Sequence, residues 1–162
     1  MSALKSKAVL GIVLGLALGT VGSAQAAFDA AKVEKARIDK FHEMGKAFKT
    51  IVDGLKADTP DTKSMSAQAH VMVGLSHKVT SWFPKGSGPE AGIKTRAKGE
   101  IWTDWATFAA AAKGLETESA KLEAVTRAGN LDAIKLQVKA TGNACGTCHT
   151  KFRGPELDKH EG

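Results

Sequence analysis

The chain has 162 residues, a formal charge of +6, two cysteines, four prolines and no tyrosine. That length suits one ordinary domain. The basic excess is modest and its lysines are spread along the chain rather than clustered, so the sequence carries no nucleic-acid footprint.

Residues 1–26 have the pattern of a cleaved export signal. Lys5 and Lys7 precede an apolar stretch from Val9 to Val21, and Ala24-Gln25-Ala26 forms a small-residue cleavage site. The apolar stretch is short for a membrane span. The expectation is a mature domain at 27–162, exported to the periplasm, with no membrane attachment after cleavage. The leader contains no acid, so losing Lys5 and Lys7 leaves the remainder at +4.

The rest reads as helix. The first helix is expected at 29–56, with Val33, Arg37, Phe41, Met44, Phe48, Ile51 and Leu55 on one face at steps of three and four. Asp58-Thr59-Pro60 breaks it. Thr59 is the expected cap of a second helix at 60–79, with Pro60 at its first position. Met65, Ala69, Met72, Val73 and Leu75 form its apolar side. Residues 82–93 are a loop rich in Gly and Pro.

The third helix is expected at 98–127 with a buried stripe of Trp102, Trp105, Phe108, Ala112, Leu115, Ser119, Leu122 and Val125. Ala128-Gly129 ends it and Asn130 caps a fourth helix at 131–152, stopped by Gly154-Pro155. Gly142 interrupts that last helix, weakening it or admitting a close neighbour. Four amphipathic helices with mostly short links give an all-α, antiparallel up-down four-helix bundle, a fold that holds cofactors in its core.

The chemistry is concentrated at Cys145-Gly146-Thr147-Cys148-His149. Two thiols three positions apart can add across the two vinyl groups of a haem, and the following imidazole can ligate the iron. On a helix both sulfurs and the imidazole face one plane. The motif thus points to one covalent haem c, with thioethers from Cys145 and Cys148 and His149 as the axial iron ligand. A structural zinc site needs four ligands, and only two cysteines exist with no His-x(3–5)-His pair behind them. A redox dithiol belongs near a βαβ pattern, which is missing here. A disulfide across three residues would close a tiny loop and staple little. A non-haem helical binding module with such a disulfide remains the outside alternative.

The placement of this motif near the end of a four-helix chain resembles the class II c-type cytochromes and, among them, the cytochrome c′ family. Matching pieces are Arg37 four residues before Phe41, the Trp-Phe-Pro-x-Gly-Ser-Gly loop at 82–88, Glu-Ile-Trp-x-Asp at 100–104, the Ala-Gly-Asn-Leu-Asp turn at 128–132, and Phe152-Arg153 behind the haem motif. The resemblance implies that Arg37 lies near a haem propionate, where a fixed guanidinium suits a carboxylate. It puts Phe41 over the distal face and Arg153 beside the proximal one. Ile38 stands where some relatives have a polar residue on the haem edge. Thr95 and Arg96 are expected to meet that edge.

The sixth iron position decides the function. A Met or His there makes a low-spin electron carrier, whereas a hydrocarbon wall leaves room for a small gas. Related cytochromes of the c-556 type use a first-helix Met where this chain has Phe41. The expectation is a five-coordinate, high-spin haem in electron transfer, binding of NO or CO, or both. The alternative is a six-coordinate carrier with Met44 as ligand. Met44 is nearly one turn beyond Phe41, and packing is the common fate of a methionine on a helix face. His42 points about 100° away from Phe41 toward solvent. His70 and His77 share a face of the second helix, suiting the surface or a partner helix. No nucleophile–base pair, phosphate loop or second metal cluster suggests an enzyme. Expected partners are small gases, redox proteins and a second copy, a homodimer through the first two helices being implied by the resemblance.

Overall fold

The computed structural model describes residues 28–157. The expected export signal at 1–26 and the end of the expected 27–162 domain lie outside that span. Asp29 caps α1 (Ala30–Gly54), its carboxylate accepting from the Lys32 N–H at 3.0 Å. α2 (Thr62–Ser76) is capped by Asp61, not by Thr59. Asp61 Oδ1 accepts from both the Lys63 and Ser64 N–H groups at 3.0 Å, satisfying two free donors at once. Pro60 therefore stands ahead of the helix and not at its first position. Short 3₁₀ turns at Val79–Trp82 and Pro89–Ala91 punctuate the long connection that follows.

The expected third helix is broken. A single turn, α3 (Glu100–Thr103), is followed by α4 (Trp105–Ala128), and Asp104 between them has φ −123° and ψ 52°. Asp104 accepts a hydrogen bond from Lys151 Nζ at 2.6 Å, a tie to the far end of the chain. The break also separates two tryptophans that a continuous helix would keep on one face. Trp102 turns inward, its indole N–H donating to the Pro84 carbonyl at 3.1 Å, while Trp105 is 42% exposed. Gly129, at φ +76°, ends α4, and Asn130 caps α5 (Leu131–Phe152) by accepting from the Ala133 N–H.

The four long helices pack α1 on α2, α2 on α4 and α4 on α5. The cross-links show antiparallel order. His70 Nδ1 meets Glu123 at 2.9 Å and His77 Nδ1 meets Glu116 at 3.1 Å, so ascending positions on α2 pair with descending ones on α4. Both histidines thus serve helix-to-helix contacts. On the next interface Gln137 donates to Glu118 at 2.6 Å and Thr141 to the Glu118 carbonyl. The fold is the expected up-down bundle, and no strand occurs among the described residues.

The core follows the stripes. Met44, Ala47 and Ile51 of α1 meet Met65, Ala69 and Met72 of α2, then Phe108, Ala112, Leu115 and Leu122 of α4, and Ile134 and Phe152 of α5. Ile51, Met72, Leu122 and Ile134 are fully enclosed, each contributing about 1.5–3 kcal/mol relative to exposure. At one end an aromatic chain takes over. Ring centroids of Trp82 and Phe41 are 5.0 Å apart, of Phe83 and Phe108 4.8 Å, and of Phe108 and Phe152 5.3 Å. Gly88 lies under this cluster, where a Cβ would come within 2.6 Å of the Trp102 ring, so the loop needs glycine there.

The 94–98 segment ties the connection to α5. Ala97 and Arg153 form an isolated antiparallel bridge. The Lys98 N–H donates to the Phe152 carbonyl at 3.0 Å and the Gly154 N–H to the Arg96 carbonyl at 2.7 Å. No helix among the described residues is long and apolar enough to cross a membrane.

Candidate cofactor site

The last turns of α5 deliver Cys145, Cys148 and His149 to one cavity of about 460 Å³. The helical spacing does this directly, since side chains three and four apart are neighbours on a helix face. Both cysteines are half-buried and are not joined to each other. Burial pushes the Cys145 thiol up from its ordinary value. It does the same to Cys148, helped by Cys145 and opposed by the Arg153 guanidinium. The His149 imidazole is pushed down, first by burial, then by Arg153 and Arg96. That favours the neutral ring, the form a metal ion requires.

α1 forms the facing wall. Ile38, Phe41, Met44 and Phe48 all border the cavity, Met44 at 5% exposure and Ile38 at the mouth at 41%. His42 is exposed yet also borders the mouth. Phe41 and Met44 therefore both stand on the α1 wall of the cavity. Behind them lie Phe83, Phe108 and Phe152. Met72 of α2, read from sequence only as core, borders the cavity as well.

Three guanidinium groups mark the polar side: Arg37, Arg96 and Arg153. Arg37 is 3% exposed and almost fully engaged. It donates to the Ser87 carbonyl at 3.0 Å, to Ser87 Oγ at 3.2 Å and to the Trp82 carbonyl at 3.3 Å, and pairs with Glu34. Its guanidinium carbon lies 4.5 Å from the Phe83 ring centroid. Burial pulls its pKa down to about 10 against the opposing pull of Glu90, so it stays charged near neutral pH. Arg96 Nε donates to the Gly154 carbonyl at 3.1 Å.

One assignment changes and one residue is added. Thr95 does not border the cavity. Its hydroxyl donates to Glu34 Oε1 at 2.7 Å and accepts from the Ala97 N–H at 3.0 Å, so it braces the wall from behind. Glu34, which sequence reasoning passed over, is buried and borders the cavity. Its position three residues before Arg37 was the available signal, since such spacing pairs charges on a helix.

A single haem suits this arrangement. The cavity volume falls in the range of cofactor sites, about 300–1,000 Å³, and its lining is mostly apolar with a few convergent polar groups. Two thiols and an imidazole come from one helix, and the guanidinium groups of Arg37, Arg96 and Arg153 border the same cavity, Arg37 with most of its donors already bonded. Among the described residues no cluster of three or more His, Cys, Asp or Glu could hold a bare metal ion, so a four-ligand zinc site is not formed.

The family described as Cytochrome C′ matches residues 23–153. The chain belongs to the cytochrome c′ family. Members of that family bind haem c. Cytochrome c′ of Rubrivivax gelatinosus is 41% identical over 68 residues, covering 42% of this chain and 53% of that protein, so the match spans about half the relative's length. Cytochrome c′ of Alcaligenes xylosoxydans xylosoxydans is 30% identical over 111 residues, covering 68% of this chain and 84% of the relative. The solved structure of the Rubrivivax gelatinosus protein has a TM-score of 0.69 at 29% identity, over 76% of this chain and 96% of that one. A nitric oxide complex of a cytochrome c prime mutant from Alcaligenes xylosoxidans has a TM-score of 0.70 at 25% identity, over 78% and 98%.

Proposed function

We propose that this chain is an exported, periplasmic haem c protein that binds NO or CO and exchanges single electrons, a binder and carrier rather than a catalyst. The observation that carries this reading is the shared cavity, with Cys145, Cys148 and His149 on α5 facing an apolar wall from α1. When bound, haem supplies a one-electron ferric–ferrous couple and a coordination position for a small gas. Cys145 and Cys148 would tether it through thioethers, and His149 would hold the iron through a neutral imidazole. Arg37, Arg96 and Arg153 would face its carboxylates. The NO complex of the similar Alcaligenes protein supports the gas-binding part.

Phe41 and Phe48 would exclude water from the side opposite His149. Neither offers a hydrogen-bond donor, which disfavours ligands that depend on one and leaves NO and CO preferred. Phe41 cannot ligate, so the iron would be five-coordinate and high-spin. A homodimer through α1 and α2 is part of the same proposal by family resemblance, and sedimentation would test it.

The test is the visible spectrum of the reduced holoprotein with and without CO. The expected result is a high-spin spectrum that changes on CO addition. A sharp low-spin α-band without added ligand, unmoved by CO, would overturn it. The second reading has Met44 as sixth ligand, favoured by its burial on the same wall. Met44→Ala would then convert a low-spin spectrum to a high-spin one, whereas a packing methionine would lower stability and leave the spectrum unchanged.

A further inference from the structure

A carboxylate buried against a site built for an anionic cofactor calls for a reason. Glu34 borders the cavity with its side chain about 10% exposed, beside the Arg37 guanidinium. Electrostatics alone would leave Arg37 free for a haem carboxylate and would put an apolar residue at 34. Instead each Glu34 oxygen has its own donor. Oε2 takes Arg37 Nη2, and Oε1 takes the Thr95 hydroxyl at 2.7 Å. Thr95 in turn accepts from the Ala97 N–H, and the 96–98 backbone is bonded to residues 152–154 at the end of α5. Glu34 thus links α1, which forms the wall, to the strap fixed on the helix that carries Cys145, Cys148 and His149.

We propose that Glu34 is a positioning residue that locks Arg37 and the 95–97 strap in place and, by holding a negative charge at the cavity wall, keeps the reduction potential of the bound haem low. The inference rests on the haem reading above. A fixed anion near the iron stabilises the ferric state, in which the site carries one more positive charge, over the ferrous state. Arg37 acts in the opposite sense. The low-dielectric surroundings strengthen both effects relative to water.

The experiment is a mediated redox titration of the holoprotein in a two-by-two set: wild type, Glu34→Gln, Arg37→Gln and the double variant. Glutamine at 34 keeps one acceptor oxygen for Thr95, replaces the oxygen that takes Arg37 Nη2 with an amide NH2, and removes the charge. Glu34→Gln is expected to raise the ferrous-to-ferric ratio at fixed applied potential by about tenfold, a rise of about 59 mV for one electron. Arg37→Gln is expected to lower the potential, with the double variant between the two. Glu34→Asp, which retains the charge, should restore most of the wild-type value. If Glu34→Gln alone does not fold, because it leaves a buried cation without its partner, the double variant against Arg37→Gln carries the same test: removing the carboxylate must raise the potential. An unmoved potential, or shifts of the same sign from both single variants, would make Glu34 a structural brace only and overturn the proposal. A wild-type protein without haem absorption would instead overturn the haem reading itself, so the two failures are distinct.

Discussion

Replacing Phe41 by Ala removes one ring from the α1 wall and tests where small ligands enter. The ring packs edge-on against Trp82 at 5.0 Å and tilted against Phe83 at 6.2 Å. Losing such a pair costs about 0.5–1.5 kcal/mol beyond area burial. Phe-to-Ala changes in closed cores cost about 3–5 kcal/mol, of which part is the new void. Phe41 is only partly buried and already borders a cavity, so the void term is small and the expected loss is near the lower end, about 3 kcal/mol. The kinetic effect is larger in relative terms. Removing a ring that a ligand must pass should speed CO association with the reduced protein at least about tenfold, a barrier lowered by about 1.4 kcal/mol. Stopped-flow mixing with CO measures the rate, and thermal melting of the same sample measures the stability. An unchanged association rate in a folded variant would place Phe41 away from the ligand path and refute the reasoning. An accelerated rate in Met44→Ala alone would transfer that role to Met44.

Two further substitutions and a pH profile test individual groups. Ser119 Oγ is buried with no hydrogen-bond partner; Ser119→Ala should stabilise the protein by about 1 kcal/mol, read as a raised denaturation midpoint, and a lower midpoint would show the hydroxyl to be paired. A Cβ at Gly142 would meet the Phe48 ring at 3.8 Å, an ordinary contact. No close approach requires glycine there, and Gly142→Ala should gain about 0.5–1 kcal/mol in chemical denaturation. Asp53, Asp104, Glu116 and Glu118 are held below the ordinary carboxylate range, chiefly by hydrogen bonds from Lys49, Lys151, Lys113 and Lys121 respectively. Their folded values are depressed, so their contribution is full above the unfolded value of about 4 and is lost as pH falls through the folded values. Melting temperature should therefore decline below about pH 5, less steeply in high salt, and a flat profile down to pH 3 would contradict this.

Local signals sufficed for most of the architecture. The periodicity of α1, the Gly129-Asn130 stop and start, and the Cys145–His149 motif all act within a few residues of themselves, so spacing exposes them. The break at Asp104 is different. No glycine or proline marks it, and its partner Lys151 lies on another helix. Trp105 went to the surface for the same reason. The expected cap of α2 is Thr59, and the structure puts it at Asp61, whose carboxylate accepts from two amides. Around the site, spacing put Arg37, Phe41 and Met44 on one face of α1, the resemblance added Ile38, and all four border the cavity. Spacing does not reveal Ser87 and Thr95, which arrive from the long connection to hold Arg37 and Glu34. Glu34 drew no reading from sequence, and its burial follows from those partners.

The cavity also bears on what holds the chain together. Packing runs from α1 through α2 and α4 to α5, and the apolar sides of α1 and α5 face each other across the cavity at one end of the bundle. At about 24 cal/mol per Å³, an unfilled space of about 460 Å³ would carry a penalty of up to about 11 kcal/mol, an upper bound because walls relax and water enters the mouth. That is as large as the whole net stability of an ordinary domain, about 5–15 kcal/mol. Cofactor and bundle should therefore behave as one cooperative unit. Replacing Cys145 and Cys148 by Ala removes the expected tether while leaving the helix-forming pattern of α5 intact. Such a protein, freed of haem, should keep most of its helical circular dichroism but lose near-ultraviolet signals from Trp82, Trp102 and the phenylalanine cluster, and melt at a much lower temperature. A haem-free variant that melts at the same temperature as the holoprotein would mean that the bundle closes on itself and that the cavity is not a built-in feature of its packing.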